Sequence, residues 1–476
     1  MLIPPASCSV DVAILGAGPA GLAAAWQAAR NGLSVVVLER AGAVGGMAAS
    51  FDVAGIRVDH GSHRLHPGTG PHVLAALREL VDEDLQLRPR NARLHIFDRW
   101  VAFPPRAAEL ARTLPPGVLA RLAADTVTGP LRRPGSDDDG TGTNQGGPPD
   151  GRPCRATEGD RCSAALMLRA GLGPTLYHEF GAPYATKLWG RPPEHLDAEQ
   201  TCRRVAGANL WRIAARSLRG DRARHRTFYY PRRGFGQLVD ALVQAGVEAG
   251  VAIRTSTEVT GIRLDGPDPL VSIADGSLVE AGHVLSTIPL PMLARLSVPS
   301  PPATVLAAAG ALPFRAMVLV YLVHRGGRWT DFDTHYLPGP DTPVNRISEP
   351  TNHRVSQDDP TNRTVLCAEL PCDTTDAVWD AADTELVDLV VDGLARHGLP
   401  TPQVGEVAVR RLAQVYPVFE LGYQQHLTEL DSWADGLRRV TTLGRLGTFA
   451  HSDTHHALAM GLAAADALAP ARRPPR

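Results

Sequence analysis

The chain has 476 residues, 44% of them hydrophobic and 21% charged, which is enough for two or three folding units around a sizeable core. A formal net charge of -2 with no local basic stripe excludes a general nucleic-acid or polyanion binder. Lys187 is the only lysine among 48 basic residues, so a phosphate loop of the GKS/T kind is excluded.

The chain opens with MLIPPASCS, which carries neither a basic patch nor an apolar signal core, and no stretch approaches the length of a membrane span. A cytoplasmic protein without membrane insertion is expected. The six cysteines have neither disulfide-scaffold nor metal-site spacing, and no metal ligands are assigned.

Residues 10–15 read VDVAIL, a run suited to a strand buried on both faces. GAGPAG follows at 16–21, then LAAAWQAARN, a helix former that stops before Gly32. LSVVVL at 33–38 predicts a second parallel strand that ends at Glu39. Strand, glycine turn, helix, strand and acid stand in the order of a dinucleotide site. Gly16 allows the tight turn, Gly18 lets phosphates approach the backbone, and Gly21 lets helix and strand pack closely. Pro19 and Ala20 begin the helix, whose N-terminus favours a pyrophosphate. Glu39, 18 residues past Gly21, is placed to accept both hydroxyls of a ribose.

Further along, residues 71–88 predict a helix with Val73, Leu74, Leu77, Leu80 and Val81 on one face. Residues 94–103 predict short extended pieces and 107–131 a helical stretch. Residues 132–160 are rich in Gly, Pro, Asp and Thr and nearly devoid of apolar side chains, so a disordered surface insertion is expected. Residues 163–225 read as mostly helical. After FYYPRRGF at 228–235 come a short helix, a strand and a hairpin that includes EVTGIRL and ends in STIP. AMVLVYLVH at 316–324 predicts a buried strand, 376–397 an amphipathic helix, and VAVRRLAQVYP the start of a return to the core. The chain closes with GRLG and the helical HHALAMGLAAADAL.

Beyond the acid come Arg40, the pair Gly45 and Gly46, and DHGSH at 59–63. This order resembles the family of flavin amine oxidases, protoporphyrinogen-oxidase-like enzymes and UDP-galactopyranose mutases. The segment from Gly444 and Arg445 to Asp453 resembles the one that closes over the ribityl and pyrophosphate groups in that family. The resemblance implies non-covalent FAD, held by Gly16, Gly18, Pro19, Ala20, Gly21, Glu39, Arg40, Gly45, Gly46, Gly61, Ser62, His63, Val259, Gly444, Arg445 and Asp453. It also implies an α/β fold with a discontinuous Rossmann-type FAD-binding domain and an inserted α+β substrate-binding lobe. The flavin domain is expected at 1–90, 228–298 and 410–476, and the substrate lobe at 91–227 and 299–409.

GSHRLH at 61–66 resembles a mutase stretch whose first histidine lies beside the flavin, which makes His63 the first candidate for moving a proton. His451 is the second candidate and Lys187 the third. Arg64, Tyr230, Arg232, Tyr416 and Phe449 are the expected substrate contacts. Phe449 and His451 stand where the mutases carry tyrosines, and Phe449 has no hydroxyl to offer a diphosphate. The expected function is therefore oxidation of a C–N, C–C or activated C–H bond of a small polar metabolite, in specialised biosynthesis. Molecular oxygen or another acceptor would reoxidise the flavin, and the protein would be a monomer or homodimer. The alternative is a redox-neutral mutase, epimerase or isomerase. A third class, the non-catalytic escort proteins of prenylated GTPases, shares the architecture.

Overall fold

The computed structural model describes residues 7–105, 107–128, 163–201 and 227–469. The insertion expected at 132–160 and the helical stretch expected at 202–225 lie outside the described residues.

Ser7–Leu15 is a strand with Val12, Ala13, Ile14 and Leu15 all 1% exposed or less, so both of its faces are covered. It pairs in parallel with Val35–Leu38 on one side and Leu278–Ser286 on the other. Helix Pro19–Arg30 connects the first two strands, with proline in the first turn where its missing N–H costs nothing. Ala252–Arg254, Val259–Arg263, Leu270–Ile273, Ser297–Val298 and Val440–Thr442 complete an eight-stranded sheet. Helix Thr454–Leu468 packs so closely on Pro19–Arg30 that a Cβ on Gly461 would stand 2.2 Å from the Ala20 carbonyl oxygen. Glycines and alanines on both helices permit that approach.

The second sheet has seven strands in the order Val404–Pro417, Phe314–Arg325, Arg363–Cys372, Arg346–Ser348, Thr334–Tyr336, Ala92–Ile96, Arg99–Phe103. Its two faces follow from the two-residue alternation of side chains. Val318, Val320, Leu366 and Ala368 face helix Asp383–Arg396. Leu319, Tyr321, Val365 and Cys367 face the opposite way, towards Ile56, Val58 and helices Ala164–Leu172 and Ala182–Trp189. The molecule is thus an α/β fold with a mixed second sheet.

Two expected boundaries shift. The break at 409/410 falls inside the strand Val404–Pro417, which lies antiparallel on Phe314–Arg325, so the return to the larger sheet begins after Pro417. The break at 298/299 is also early, because Val305, Ala308, Ala309 and Leu312 still pack under the larger sheet. Among the described residues, no helix is long and apolar enough to cross a membrane.

Candidate functional site

The glycine turn is built as its spacing demands. Gly16 has φ +100°, and a Cβ there would stand 2.4 Å from Thr287 Oγ1. A Cβ on Gly21 would meet the Gly16 carbonyl at 2.1 Å. Gly18 caps the helix in an extended conformation, and nothing lies within 4 Å of where its Cβ would be, so the helix N-terminus faces open space. Gly45 donates its N–H to the Ala17 carbonyl at 2.7 Å, which brings the paired glycines beside this turn. The Glu39 carboxylate accepts the Ala17 and Ala41 amides, each at 2.8 Å, and its remaining lone pairs are free for two further donors. Thr257, two residues before Val259, donates its N–H to the Glu39 carbonyl, so Val259 lies close to this acid. Gly444 has φ +78°, and a Cβ there would stand 3.1 Å from Ala20 Cβ. These residues fit an adenine dinucleotide: a turn bare of side chains, a helix that starts at it and an acid at the strand end. Arg40 is exposed.

The 59–65 loop reaches towards the second sheet. Asp59 anchors it, accepting from Tyr230 Oη at 2.5 Å, the Phe235 amide at 2.9 Å and Ser50 Oγ at 2.6 Å. Gly61 turns the chain at φ +90°. Ser62 donates its N–H to Glu369 Oε1 at 2.8 Å, and its carbonyl accepts from Arg346 Nη2 at 3.2 Å. His63 Nε2 donates to the His60 carbonyl at 3.0 Å, and its ring stacks on Phe235. A carbonyl can only accept, so Nε2 carries the proton and Nδ1 keeps the lone pair. Burial holds this imidazole below its ordinary pKa. Arg64 Nη2 donates to Asp333 Oδ1 at 2.8 Å and to Thr334 Oγ1 at 2.6 Å.

Opposite the loop, strand register makes a polar row. Tyr336 is paired with Arg346 across the Thr334–Tyr336 and Arg346–Ser348 strands, and Arg346 with Glu369 on the next strand. Arg346 Nε lies 2.7 Å from Glu369 Oε2, and Arg90 Nη2 donates to Tyr336 Oη at 3.2 Å. Burial lifts the Tyr336 phenol, but the guanidinium charges of Arg90, Arg64 and Arg346 outweigh it and bring the pKa down to about 8. Arg90, Asp333, Tyr336, Arg346 and Glu369 were not singled out in the sequence. Tyr336, Arg346 and Glu369 sit in three separate strands and are aligned by the sheet register, while Arg90 and Asp333 lie in the connections just before strands Ala92–Ile96 and Thr334–Tyr336; none belongs to a local motif.

The other expected site residues divide. Tyr416, His451 and Arg445 come together, with the Arg445 guanidinium 5.6 Å from the Tyr416 ring centroid and His451 6.2 Å from it. Arg445 Nε donates to the Ser452 carbonyl at 2.8 Å. Phe449 is fully buried against Phe314 and Phe419, so it is part of the core and not a substrate wall. Tyr230 is likewise fully buried, its hydroxyl committed to Asp59. Arg232 is exposed and pairs with Asp84. Lys187 donates to the Leu337 and Val344 carbonyls at 2.6 and 3.1 Å, clamping the connection between the Tyr336 and Arg346 strands. Burial lowers its pKa to about 8, but its protons already serve those carbonyls. Asp453 caps helix Thr454–Leu468, and its carboxylate lies near the imidazoles of His455 and His456, all three donor groups within 4.8 Å of one another.

A model of the flavin containing amine oxidoreductases matches residues 19–469. Coproporphyrinogen III oxidase of Propionibacterium freudenreichii subsp. freudenreichii is 24% identical over 477 residues, covering 90% of this chain and 85% of that protein. Reduced UDP-galactopyranose mutase superposes with a TM-score of 0.78 at 19% identity, covering 96% of this chain and 95% of the other. Putrescine oxidase bound to putrescine superposes with a TM-score of 0.63 at 17% identity, covering 97% and 99%. At such identities the superpositions show a shared fold. With the matched family model spanning nearly all of its length, this chain belongs to the family of flavin containing amine oxidoreductases.

Proposed function

We propose that this chain is an FAD-dependent enzyme that turns over a small polar metabolite between the 59–65 loop and the row Tyr336, Arg346, Glu369. On this reading the larger sheet belongs to a flavin domain made of three separate stretches. The second sheet with helices Ala164–Leu172 and Ala182–Trp189 is the substrate lobe inserted between them. Gly16, Gly18 and Gly21 with the start of helix Pro19–Arg30 would hold the pyrophosphate, Glu39 a ribose, and Gly45, Gly46, Gly444 and Arg445 the adjoining groups. When bound, FAD supplies a ring that accepts a hydride or acts through a nucleophilic nitrogen.

The residues of the chain position and protect. Glu369 and Arg346 grip both sides of the Ser62 peptide, so the loop beside the candidate site is fixed from the substrate lobe. His63 presents the lone pair of Nδ1 as a proton acceptor, and its buried, neutral state suits one transfer at a time. Tyr416 and His451 add a second polar edge.

Redox-neutral rearrangement is favoured over net oxidation. The expectation of net oxidation rests on the missing tyrosine hydroxyls at Phe449 and His451; Phe449 is buried in the core and carries no information about substrate, which leaves His451 alone to argue for it. The arginine and tyrosine row supplies a different set of donors, and this observation carries the reading. The higher similarity to the mutase fold supports it. The test is anaerobic turnover with candidate metabolites, using oxidised and chemically pre-reduced protein in parallel. Product formed only by pre-reduced protein, with no net electrons leaving, is expected; stoichiometric flavin bleaching by substrate would establish net oxidation instead.

A further inference from the structure

Two aromatic faces hold two guanidinium planes beside the candidate site. The Arg64 guanidinium lies 4.8 Å from the Phe228 ring centroid, and that of Arg90 lies 5.0 Å from the Phe103 centroid. Arg64 uses only Nη2, on Asp333 and Thr334; its Nε and Nη1 are sealed from solvent and donate to nothing among the described residues. Arg90 uses Nη2 on the Tyr336 hydroxyl, and its buried Nε also lacks an acceptor. No carboxylate among the described residues pairs with Arg90. Unmatched guanidinium donors out of reach of water are costly, and a charge-assisted acceptor such as an oxyanion would satisfy them.

The charge count points the same way. Arg64, Arg90 and Arg346 bring three positive charges to this corner, against the carboxylates of Asp333 and Glu369. The same three guanidinium groups lower the Tyr336 phenol. An ammonium group would be repelled here.

We infer that Arg64, Arg90 and Tyr336 form a subsite that receives an anionic group of the substrate, a phosphate or a carboxylate; this rests on the reading of the site proposed above. Arg64 and Arg90 supply the unmatched N–H donors, Tyr336 an O–H, and Arg346 sits next in the row to orient the rest of the molecule towards the 59–65 loop. The family is described by its amine oxidoreductases. This corner instead selects against a cationic amine.

The test uses the FAD-loaded full chain, with flavin content measured first. Inorganic pyrophosphate, succinate and putrescine are titrated separately by calorimetry into wild type, Arg64→Met and Arg90→Met. Binding of pyrophosphate or succinate by wild type is expected, weakened about tenfold or more in either variant at unchanged flavin content, with no binding of putrescine. Pyrophosphate alone would assign the phosphate class, succinate alone the carboxylate class. Equal binding by wild type and variants, no anion binding at all, or competition by putrescine would overturn the subsite. Arg64→Met strips Asp333 of its cation and risks misfolding, so Arg90→Met decides the matter if that variant is lost. A purified protein without flavin would sink the proposed function, whereas a flavin-loaded protein that ignores both anions would sink only the subsite.

Discussion

Glu369 accepts the backbone N–H of Ser62 at 2.8 Å, so a carboxylate of the second sheet holds the loop that follows the DHG turn. The same carboxylate pairs with Arg346, and its side chain is only 3% exposed. Replacing it with Gln keeps the shape but leaves Arg346 without a counter-charge. We expect Glu369→Gln to lower stability by about 3 kcal/mol, read as the urea midpoint at constant slope. A loss below about 0.5 kcal/mol would mean that solvent already screens the pair.

Glu39 satisfies two backbone amides and retains lone pairs for a ligand. Glu39→Ala removes both functions. Flavin retained after gel filtration is expected to fall about tenfold or more, since charge-assisted acceptors for two hydroxyls are lost. Denatured wild type should release its flavin into the supernatant, because no attachment site is evident in the sequence; colour that stays with the precipitate would show a covalent link.

His63→Asn retains polarity but removes the Nδ1 acceptor. The turnover rate should fall by about 100-fold with flavin content nearly constant, if the imidazole accepts a proton in the rate-limiting step. A proportional loss of flavin would assign His63 to the cradle instead. The pH profile separates the two roles: a proton-accepting His63 contributes an inflection below its ordinary value, since burial lowers it.

Phe449 offers a direct check on the wall expected from the sequence. Phe449→Tyr adds a hydroxyl against Phe314 and Phe419, where packing is already full. We expect a destabilisation of about 1–3 kcal/mol and no gain in substrate affinity. Tighter substrate binding by the variant would return this residue to the site.

His335 is 1% exposed, enclosed by Trp100, Trp329 and Phe332, and burial lowers its pKa to about 3. Burial likewise takes His353 down to about 4. Each folded-state value lies below that of the unfolded chain, so the unfolded state binds more protons between the two. Their stabilising contribution is therefore complete above pH 6.5 and is lost as pH falls towards the folded values. Each group lowers stability by about 1.4 kcal/mol per pH unit within that window. Urea midpoints measured between pH 7 and 5 should show this decline, and His335→Leu should flatten part of it; an unchanged slope would contradict the buried neutral state.

The nucleotide turn was legible in the sequence because its geometry is local. Gly16, Gly18, Gly21 and Glu39 lie within one strand–helix–strand unit, where chain spacing alone sets their positions and steric demands. The strand pieces 94–103 and 316–324 were legible for the same reason, since apolar alternation and continuous burial are local signals. Which residues meet the 59–65 loop was decided only by tertiary structure. Tyr336, Arg346 and Glu369 come from three strands and align through cross-strand register, which no motif encodes. Tertiary packing also removed Phe449 and Tyr230 from the substrate wall and turned Lys187 into a clamp. Burial of a side chain is the sum of every element packed around it, so aromatic and cationic residues that look alike in sequence end as core, brace or ligand contact.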